Sequence, residues 1–494
     1  MRGRRRLQAA LWFQGTPPAP EAIVAHPWTL LPLLLACAPD GPVAGDDSGG
    51  TDGGTSDGGT SDGGGATPPD CVEDAASFSG LSTSQTQAGP VLAAQWTTPL
   101  QGQATVWWSD GRVAGLAREE ASGDSALLIG PGPLSTVQWQ VLVDTGQQVS
   151  CSPLQQATAG AAPASIPELT QSSSGQAGEA LILVPILGVD TAQVVMIDPL
   201  GRVVWARQGD RYAYRAALSR DGLGVWAASQ AWSAQDPATI QRFGLDGVLA
   251  QERTLLGGHT DLVELPDGAV AMLGWDLRDI KGRKLLGDTI VEKGLDDVER
   301  RVWTIWDDYL PDMSKFYSTD FYVSDPTVED WSHANGLHYA EADDSYLVTV
   351  GNMDMLIKVD RSSGQMLWSV GGIAPTVQTP EGLIVSPHSV QQLHDGTYLV
   401  FNRGRDDCSA IVHILVDPEA GQATLLSRYE SPDCLQVIYL GDTRRTDDGH
   451  TYISWSSAGR LEELDAEGRT VRQVEASLGA VFGFIDPVTR PGAP

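Results

Sequence analysis

From about residue 165 onward, short apolar runs alternate with polar turns, and the same arrangement returns along the chain. Each copy has a strand-like run, an aspartate, a turn residue that is usually glycine, and a second run that often ends in tryptophan. The six copies are marked by Ile197-Asp198, Leu245-Asp246, Leu295-Asp296, Val359-Asp360, Val416-Asp417 and Leu464-Asp465. These segments are rich in Val, Ile, Tyr and Trp and lack helical periodicity, which argues against a helical solenoid.

A second element, a tight hairpin turn with Asp-Gly or Asp-Asp at its centre, precedes most of the copies. It occurs at Asp221-Gly222, Asp267-Gly268, Asp343-Asp344, Asp395-Gly396 and Asp448-Gly449. Two hairpins per repeat give four strands, which is the content of one propeller blade. Six repeats of about 55 residues therefore predict an all-β fold, a six-bladed β-propeller over residues 165–494.

Residues 71–160 are predicted to form a small β domain in front of the propeller. Strand-like runs at Val91–Trp96, Ala104–Trp108 and Val137–Val143 are separated by Gly, Pro, Ser and Asp. The pattern Gln-Trp-Thr-Thr-Pro followed by Ala-Thr-Val-Trp-Trp resembles fibronectin type III domains. That resemblance implies a fibronectin-III/Ig-like β-sandwich, with the role of a spacer or docking domain.

The first 37 residues are interpreted as an export signal. Four arginines within the first six residues precede the short apolar run Leu30–Ala36, and Cys37 follows in a context that resembles the lipobox of bacterial lipoproteins. We expect residues 1–37 to be a lipoprotein signal peptide and Cys37 to be lipidated; an ordinary signal peptide with an incidental cysteine is the alternative. The protein is then exported and lipid-anchored in the cell envelope, at the outer membrane and periplasm or at the cell surface.

Residues 38–70 are expected to be a disordered Gly/Asp/Ser/Thr linker. The segment has almost no apolar side chains, so burial cannot offset the entropy of ordering it. Its regularly spaced aspartates allow a calcium-binding array as a less favoured interpretation. No apolar run in the whole sequence reaches the roughly 18 residues of a membrane-spanning helix.

Four cysteines remain when Cys37 is set aside. An even number in an exported chain suggests two disulfides. The pairs Cys71–Cys151 and Cys408–Cys434 each stay within one predicted domain, and the sequence leaves the other two pairings open.

The net charge excludes two classes of partner. The chain has 63 acidic and 32 basic residues, a formal charge of −31. Nucleic-acid binding needs basic stripes that displace counterions, and anionic lipid surfaces attract basic segments. We therefore expect small-molecule partners and no nucleic acid, with membrane contact only through the N-terminal lipid anchor.

Three of the eight histidines hold similar places in successive repeats. His259, His333 and His388 each lie shortly before the first hairpin turn of their repeat, at or before the start of the innermost strand. Innermost strands of neighbouring blades converge on the central channel, so we expect the three imidazoles to face one another at one mouth. They could each cap a strand, bind zinc or another transition metal together, or provide a nucleophile with assisting groups.

Longer motifs surround these histidines. They are Gly258-His259-Thr260-Asp261, Asp330-Trp331-Ser332-His333-Ala334-Asn335 and Pro387-His388-Ser389-Val390. With the blade turns that follow them, they resemble the bacterial arylsulfate sulfotransferases, the arylsulfotransferase (ASST) family. The resemblance implies a six-bladed propeller that moves a sulfuryl group from an aryl sulfate to a phenol through a covalent sulfohistidine, without a nucleotide sulfate donor, other cofactor or metal. It implies that His388 attacks sulfur, that His259 and His333 assist, and that Asn335 positions the substrate.

The sequence departs from the family pattern in the strand that follows the His-x-Asn element. The family has an arginine there, and in Val348-Thr349-Val350-Gly351-Asn352 its place is taken by Gly351. Arg403 is a candidate for the missing cation, and Arg403 and Asn352 are further candidate substrate-binding residues. A transferase is the leading hypothesis, and the missing arginine makes its catalytic activity a question for experiment.

Other functional classes are weighed against this transferase. A non-catalytic, surface-anchored propeller that binds a ligand is the main alternative. A quinone-dependent dehydrogenase is suggested by Asp360, Gly364 and Trp368, but six repeats do not match its usual eight blades. A metalloenzyme with three histidine ligands is the last alternative.

The segment Trp306–Trp331 is too long for a simple blade connection and is rich in aromatic residues. These are Tyr309, Phe316, Tyr317, Phe321 and Tyr322. Such side chains either stack on aryl rings at the channel mouth or pack on the propeller rim, and the sequence favours neither.

Overall fold

The computed structural model describes residues 68–491, apart from 121–122, 189–191, 211–212, 319–323, 406 and 478. In these residues the secondary structure consists of β-strands and short 3-10 turns, without α-helix, which confirms the all-β class. The predicted signal peptide, Cys37 and residues 38–67 of the predicted linker lie outside the described residues, as do Phe321 and Tyr322. Within the described range no helix is suited by length and hydropathy to cross a membrane.

The N-terminal part of the described chain forms two sheets around a common core. Its strands are β1 Val72–Glu73, β2 Ser79–Gln85, β3 Leu92–Thr97, β4 Gln103–Ser109, β5 Ala114–Arg118, β6 Ser125–Leu128, β7 Thr136–Asp144, β8 Val149–Cys151 and β9 Gln155–Thr158. One sheet has the order β1-β8-β7-β4-β5 with β9 on β7, and the other has the order β2-β3-β6. Trp96 of one sheet packs in the same core as Trp108 and Trp139 of the other. Strands β3, β4 and β7 confirm the three predicted runs, and the predicted Cys71–Cys151 disulfide joins the start of β1 to β8.

The remaining strands occupy residues 169–488. They are β10 Leu169–Ser173, β11 Leu181–Leu187, β12 Ala192–Ile197, β13 Val203–Gln208, β14 Arg215–Leu218, β15 Gly224–Ala228, β16 Pro237–Gly244, β17 Leu249–Leu256, β18 Gly258–Glu264, β19 Val270–Ile280, β20 Arg283–Lys293, β21 Glu299–Thr304, β22 Val328–Asp330, β23 Ala334–Ala340, β24 Ser345–Val350, β25 Met355–Asp360, β26 Met366–Gly371, β27 Pro387–Gln392, β28 Tyr398–Asn402, β29 Ala410–Asp417, β30 Gln422–Glu430, β31 Asp442–Arg445, β32 Thr451–Ser454, β33 Arg460–Leu464, β34 Thr470–Ala476, β35 Val481–Phe482 and β36 Asp486–Val488. Short 3-10 turns lie at Ala75–Ser77, Ile305–Asp307, Glu341–Asp343, Gly351–Met353 and Ser456–Ala458.

Six sheets are formed by these strands in the part of the chain that the structure describes. The first contains β11–β13 with β35 and β36, the second β14–β17, the third β18–β21 with β22, the fourth β23–β26, the fifth β27–β30, and the sixth β31–β34 with β10. In the second to sixth sheets, four strands that follow one another in the chain pair antiparallel. Each sequence repeat therefore corresponds to one such sheet.

The repeated aspartates lie in the turns between the third and fourth strands of these sheets. Asp198 Oδ1 accepts hydrogen bonds from the backbone N–H groups of Leu200 and Arg202, at 3.0 and 2.8 Å. A carboxylate that bonds the N–H groups of its own turn stabilises a tight reversal. The φ of +75° at Gly201 is one that glycine adopts without strain.

The ends of the described chain complete two of the sheets. Strands β35 and β36 pair with β11 in the first sheet, and β10 pairs with β34 in the sixth. The first sheet thus takes the strands that pair with one edge of β11 from the C-terminal part, so no Asp-Gly or Asp-Asp hairpin precedes β11 and only five such hairpins accompany six repeats. The first strands of the second to sixth sheets contact one another in chain order. Nε of Arg215, in the second sheet, lies 3.5 Å from Oδ1 of Asp261 in the third. Nη1 of Arg215 lies 3.6 Å from Oδ2 of Asp442 in the sixth, so these ion pairs join sheets that are distant in the chain.

Candidate functional site

The three histidines lie at the start of the first strands of the third, fourth and fifth sheets. His259 is the second residue of β18, His388 is the second residue of β27, and His333 directly precedes β23. The pairing register shifts beside each of them, and His333 has a φ of +57°. Such local irregularities re-aim side chains and are frequent near functional sites.

His388 is held as a neutral ring with a defined tautomer. Its side chain is buried, and Nδ1 lies 3.1 Å from the carbonyl oxygen of Gly441. Because a carbonyl oxygen only accepts, Nδ1 carries the proton and Nε2 carries the lone pair. Burial lowers the pKa of His388 well below its usual value, and the charges of Arg403 and His333 lower it further, against the opposing effect of the bond to Gly441. The ring is therefore suited to nucleophilic attack through Nε2.

His333 is paired with a carboxylate. Its Nδ1 lies 2.6 Å from Asp330 Oδ2, and the Asp330 side chain is nearly buried. Because a carboxylate oxygen only accepts, Nδ1 of His333 donates in this contact. His333 thus faces a carboxylate, whereas His388 faces a backbone carbonyl oxygen.

Asn352 holds the segment that carries His333. Its Nδ2 donates to the carbonyl oxygen of Asp330 at 2.9 Å, and its backbone N–H donates to the carbonyl oxygen of Ser332 at 3.2 Å. The Asn352 amide, which the sequence predicts to bind substrate, thus forms a hydrogen bond within the loop that carries His333.

Asn335 is buried between the fourth and fifth sheets. Its Nδ2 donates to the carbonyl oxygen of Pro387 at 3.4 Å. A Cβ built on Gly351 would lie 2.5 Å from this amide nitrogen and 3.3 Å from Cδ2 of His333. Position 351 therefore faces the candidate site, and the space that a side chain would need there is occupied by Asn335.

The His259 side chain is enclosed by Trp275, Thr260 and Asp288. It is 2% exposed, its ring stacks on Trp275 with centroids 5.0 Å apart, and Nδ1 lies 2.9 Å from Thr260 Oγ1. Nε2 lies 3.0 Å from Asp288 Oδ1, an ion-pair distance rather than a well-aligned hydrogen bond. His259 thus belongs to the same neighbourhood but in a more enclosed position than His333.

Asp288 was not found from the sequence, because it lies inside β20 with no motif around it. Its Oδ2 accepts hydrogen bonds from Ser332 Oγ at 2.5 Å and from the backbone N–H of Ala334 at 2.7 Å. Burial alone would raise its pKa, but contact with His259 and the two hydrogen bonds outweigh burial, and the pKa of Asp288 is lowered. Asp288 is therefore a buried anion between the His259 strand and the His333 loop.

Arg403 provides a cation on the His388 side of the site. Its Nη2 donates to Ser386 Oγ at 2.9 Å and its Nη1 to the carbonyl oxygen of Ile438 at 3.3 Å. Together with Arg405 and Gln436, these residues line a cavity of about 160 Å³. A larger cavity of about 750 Å³ is lined by other residues, mostly of the sixth sheet and of 174–179, and shares none of the site.

The predicted Cys408–Cys434 disulfide lies next to the segment that supplies Gly441 and Ile438. Ser409 N donates to Leu435 O, and Ser409 Oγ accepts from Val437 N, both at 2.8 Å. The disulfide thus supports the approach of this segment to the fifth sheet.

The long aromatic connection packs partly against the fold. Trp306 and Trp331 lie with ring centroids 4.4 Å apart, and Tyr309 donates to Ser369 Oγ at 2.9 Å, whereas Phe316 is 81% exposed.

Among the described residues, no group of three or more His, Cys, Asp or Glu side chains is arranged to hold a metal ion. The interpretation of the three histidines as one metal site therefore has no ligand set here.

Comparison with known proteins agrees with the resemblance of the motifs around His259 and His333, whereas the motif around His388 lies outside the matched range. The family model for arylsulfotransferase (ASST) matches residues 168–375. No curated protein matches the chain. Similar solved structures include the β-propeller domain of Cps50 (Swd1) from Myceliophteria thermophila, with 14% identity, coverage of 62% of this chain and 90% of that chain, and a TM-score of 0.38. Another is the periplasmic gluconolactonase PpgL of Pseudomonas aeruginosa, with 15% identity, coverage of 79% and 100%, and a TM-score of 0.38. No function follows from structural similarity at this level.

Proposed function

We propose that this protein, whose residues 168–375 match the family model for arylsulfotransferase (ASST), transfers a sulfuryl group from an aryl sulfate ester to a phenol. The observation that carries the proposal is the state of His388, a buried neutral imidazole whose Nδ1 donates to Gly441 and whose Nε2 keeps its lone pair. A ring in this state attacks an electrophilic sulfur without first losing a proton.

In the first half-reaction, Nε2 of His388 attacks the sulfur of the donor. An N–S bond forms while the bond from sulfur to the aryl oxygen breaks. The leaving phenolate takes a proton from His333, and Asp330 stabilises the charged ring of His333 before that transfer. The products are a sulfohistidine at 388 and a free phenol.

In the second half-reaction, an acceptor phenol gives its proton to His333 and its oxygen attacks the same sulfur. The N–S bond breaks, which restores neutral His388 and protonated His333. Donor and acceptor use the same site in turn, so the kinetics are expected to be ping-pong.

The oxygens of the transferred group need donors, because their charge changes during transfer. Arg403 is proposed to supply the cation and Asn335 Nδ2 a neutral donor, since Arg403 reaches His388 electrostatically and Asn335 bonds to the residue before it. Asn352 is proposed to act on the substrate only through the His333 loop.

We also infer that the six sheets are the blades of one six-bladed propeller and that the two N-terminal sheets are a fibronectin-III-like sandwich. The pairing of β10 and of β35 and β36 with distant strands supports the first inference, and the shared tryptophan core supports the second. Export and lipid anchoring at Cys37 remain proposals from the sequence, with which disulfide-bonded cysteines are compatible.

The test uses 4-nitrophenyl sulfate as donor and phenol as acceptor. His388→Asn retains a side-chain N–H for Gly441 but removes the nucleophile, and His394→Asn is the matched control because the His394 side chain is 93% exposed. We expect transfer by the wild type and the control, and loss of transfer by His388→Asn. Mass spectrometry of the protein trapped with donor alone should find a gain of about 80 Da on the peptide containing His388.

Activity that survives in His388→Asn, or an adduct on another residue, would overturn the proposed mechanism. No transfer by the wild type with several aryl sulfates would favour the non-catalytic binding propeller.

A further inference from the structure

His259 offers no ring nitrogen to a substrate. Nδ1 faces Thr260 Oγ1 at 2.9 Å and Nε2 faces Asp288 Oδ1 at 3.0 Å. A nitrogen lone pair placed 3.0 Å from a carboxylate oxygen would be repelled, so Nε2 carries a proton and lies at ion-pair distance from Asp288 without a well-aligned hydrogen bond. One face of the ring is covered by Trp275, and the residue is 2% exposed.

The carboxylate that faces His259 also fixes the loop of His333. Asp288 Oδ2 accepts from Ser332 Oγ and from Ala334 N, the residues on either side of His333. His333 itself has a φ of +57°, a conformation that is unfavourable for a residue with a Cβ and persists only when its neighbours are held in place. The two bonds to Asp288 hold those neighbours.

Asp288 is a buried anion, and a buried anion needs a partner for its charge. The proton on His259 Nε2 supplies that partner on the side opposite the His333 loop. Loss of His259 would leave one carboxylate oxygen without compensation and allow Asp288 to turn away from Ser332.

We infer that His259 is a positioning residue that acts through Asp288 on His333 and does not contact the sulfuryl group. The inference rests on the proposed function, in which His333 donates the proton to the leaving phenolate. It differs from the role implied by the sequence resemblance, in which His259 assists at the substrate.

The inference predicts how the effect of a substitution depends on the leaving group. 4-Nitrophenolate is a weak base and leaves without a proton, whereas unsubstituted phenolate needs one. We expect His259→Gln to lower kcat/KM for phenyl sulfate by about 10- to 100-fold and to change it little for 4-nitrophenyl sulfate. Asp288→Asn and His333→Gln should show the same dependence.

The decisive measurement is the combination of variants. If His259 acts only through His333, His259→Gln has no further effect in a His333→Gln background. If His259 contacts the sulfuryl group, its loss costs the same for both donors and remains in that background, and the inference is wrong.

A milder substitution serves as the control for effects on folding. Ser332→Ala removes one hydrogen bond to Asp288 and leaves the His259 contact in place. It is expected to show a smaller loss with the same leaving-group dependence, and an equal loss for both donors would contradict the inference. Absence of any transfer by the wild type would instead contradict the proposed function, so the two failures are distinguishable.

Discussion

Gly351 lies so close to Asn335 that a Cβ on residue 351 would stand 2.5 Å from the amide nitrogen of Asn335. The backbone of Gly351 also donates to the carbonyl oxygen of His333 at 2.8 Å. A residue larger than glycine must therefore move the Asn335 side chain, the His333 loop, or both. The space that a side chain at residue 351 would need is occupied by Asn335.

Gly351→Ala is expected to reduce activity by displacing Asn335. Overpacking of this kind costs about 1–3 kcal/mol of folding stability, so Tm should fall by a few degrees, and kcat/KM should fall as well because Asn335 leaves its position. The control is Asn335→Ala, which removes the side chain that would collide. In that background Gly351→Ala should cost much less, and equal costs in both backgrounds would show that Asn335 is not the residue displaced.

The pH dependence of the first half-reaction is expected to follow His388. Burial lowers the pKa of this ring, and the charge of Arg403 lowers it further. The acid limb of kcat/KM attributable to the nucleophile should thus lie well below pH 6.5. Arg403→Gln removes a positive charge, raises the pKa of His388 and moves that limb to higher pH, whereas Arg403→Lys should leave it in place. A limb that stays unchanged in Arg403→Gln would contradict the electrostatic link.

Stability should fall in acid because of His338. Burial, with the nearby charges of Arg444, Arg215 and Lys358, lowers the pKa of His338 to about 3. Between pH 3 and about 6.5 the unfolded chain binds up to one more proton at this residue than the folded chain does. The contribution of neutral His338 to stability is therefore fully present above about pH 6.5, falls by about 1.4 kcal/mol per pH unit as the pH decreases to 3, and is lost below that.

His338→Gln should therefore flatten the loss of stability with acid. Urea unfolding at pH 7 and pH 5 measures the difference, and the change between the two pH values should be smaller in the variant by about 2 kcal/mol. An unchanged difference would mean that His338 is protonated in the folded protein.

The two disulfides are expected to differ in their effect on activity. Removing either by paired Cys→Ser substitution should lower stability by roughly 3–5 kcal/mol through the entropy of the unfolded chain. Loss of Cys408–Cys434 should also lower kcat/KM, because the adjoining segment carries the carbonyl of Gly441 that fixes His388. Loss of Cys71–Cys151, in the N-terminal sheets, should leave the kcat of the remaining folded protein unchanged. Equal activity losses in both pairs would contradict this assignment.

Features of the fold that depend on neighbours in sequence were predictable. The turns were predictable because an aspartate followed within a few residues by a glycine stabilises a reversal of the chain through local contacts alone. The strand β22, which pairs in parallel with β20, was not predicted, because it lies in an irregular connection and its partner is more than thirty residues away.

The site was predictable only as far as its histidines. Their places before the hairpin turns located them at the start of the first strands of their sheets, and the motifs around them gave only a hypothesis for the chemistry. Asp288, Gly441 and Phe484 were missed, since each reaches the site from another part of the chain and none lies in a recognisable pattern. Contacts made between sheets depend on how distant parts of the chain come together and not on local sequence.

Strands β35 and β36 complete the first sheet but come much later in the chain than its other strands. Phe484, between β35 and β36, packs against His388 with ring centroids 5.1 Å apart, so His388 gains this neighbour only after residue 484 has been synthesised. A chain that ended before residue 484 would carry every histidine of the site and yet leave His388 without this contact. Assembly of the candidate site in this way depends on a segment that is made long after its last histidine.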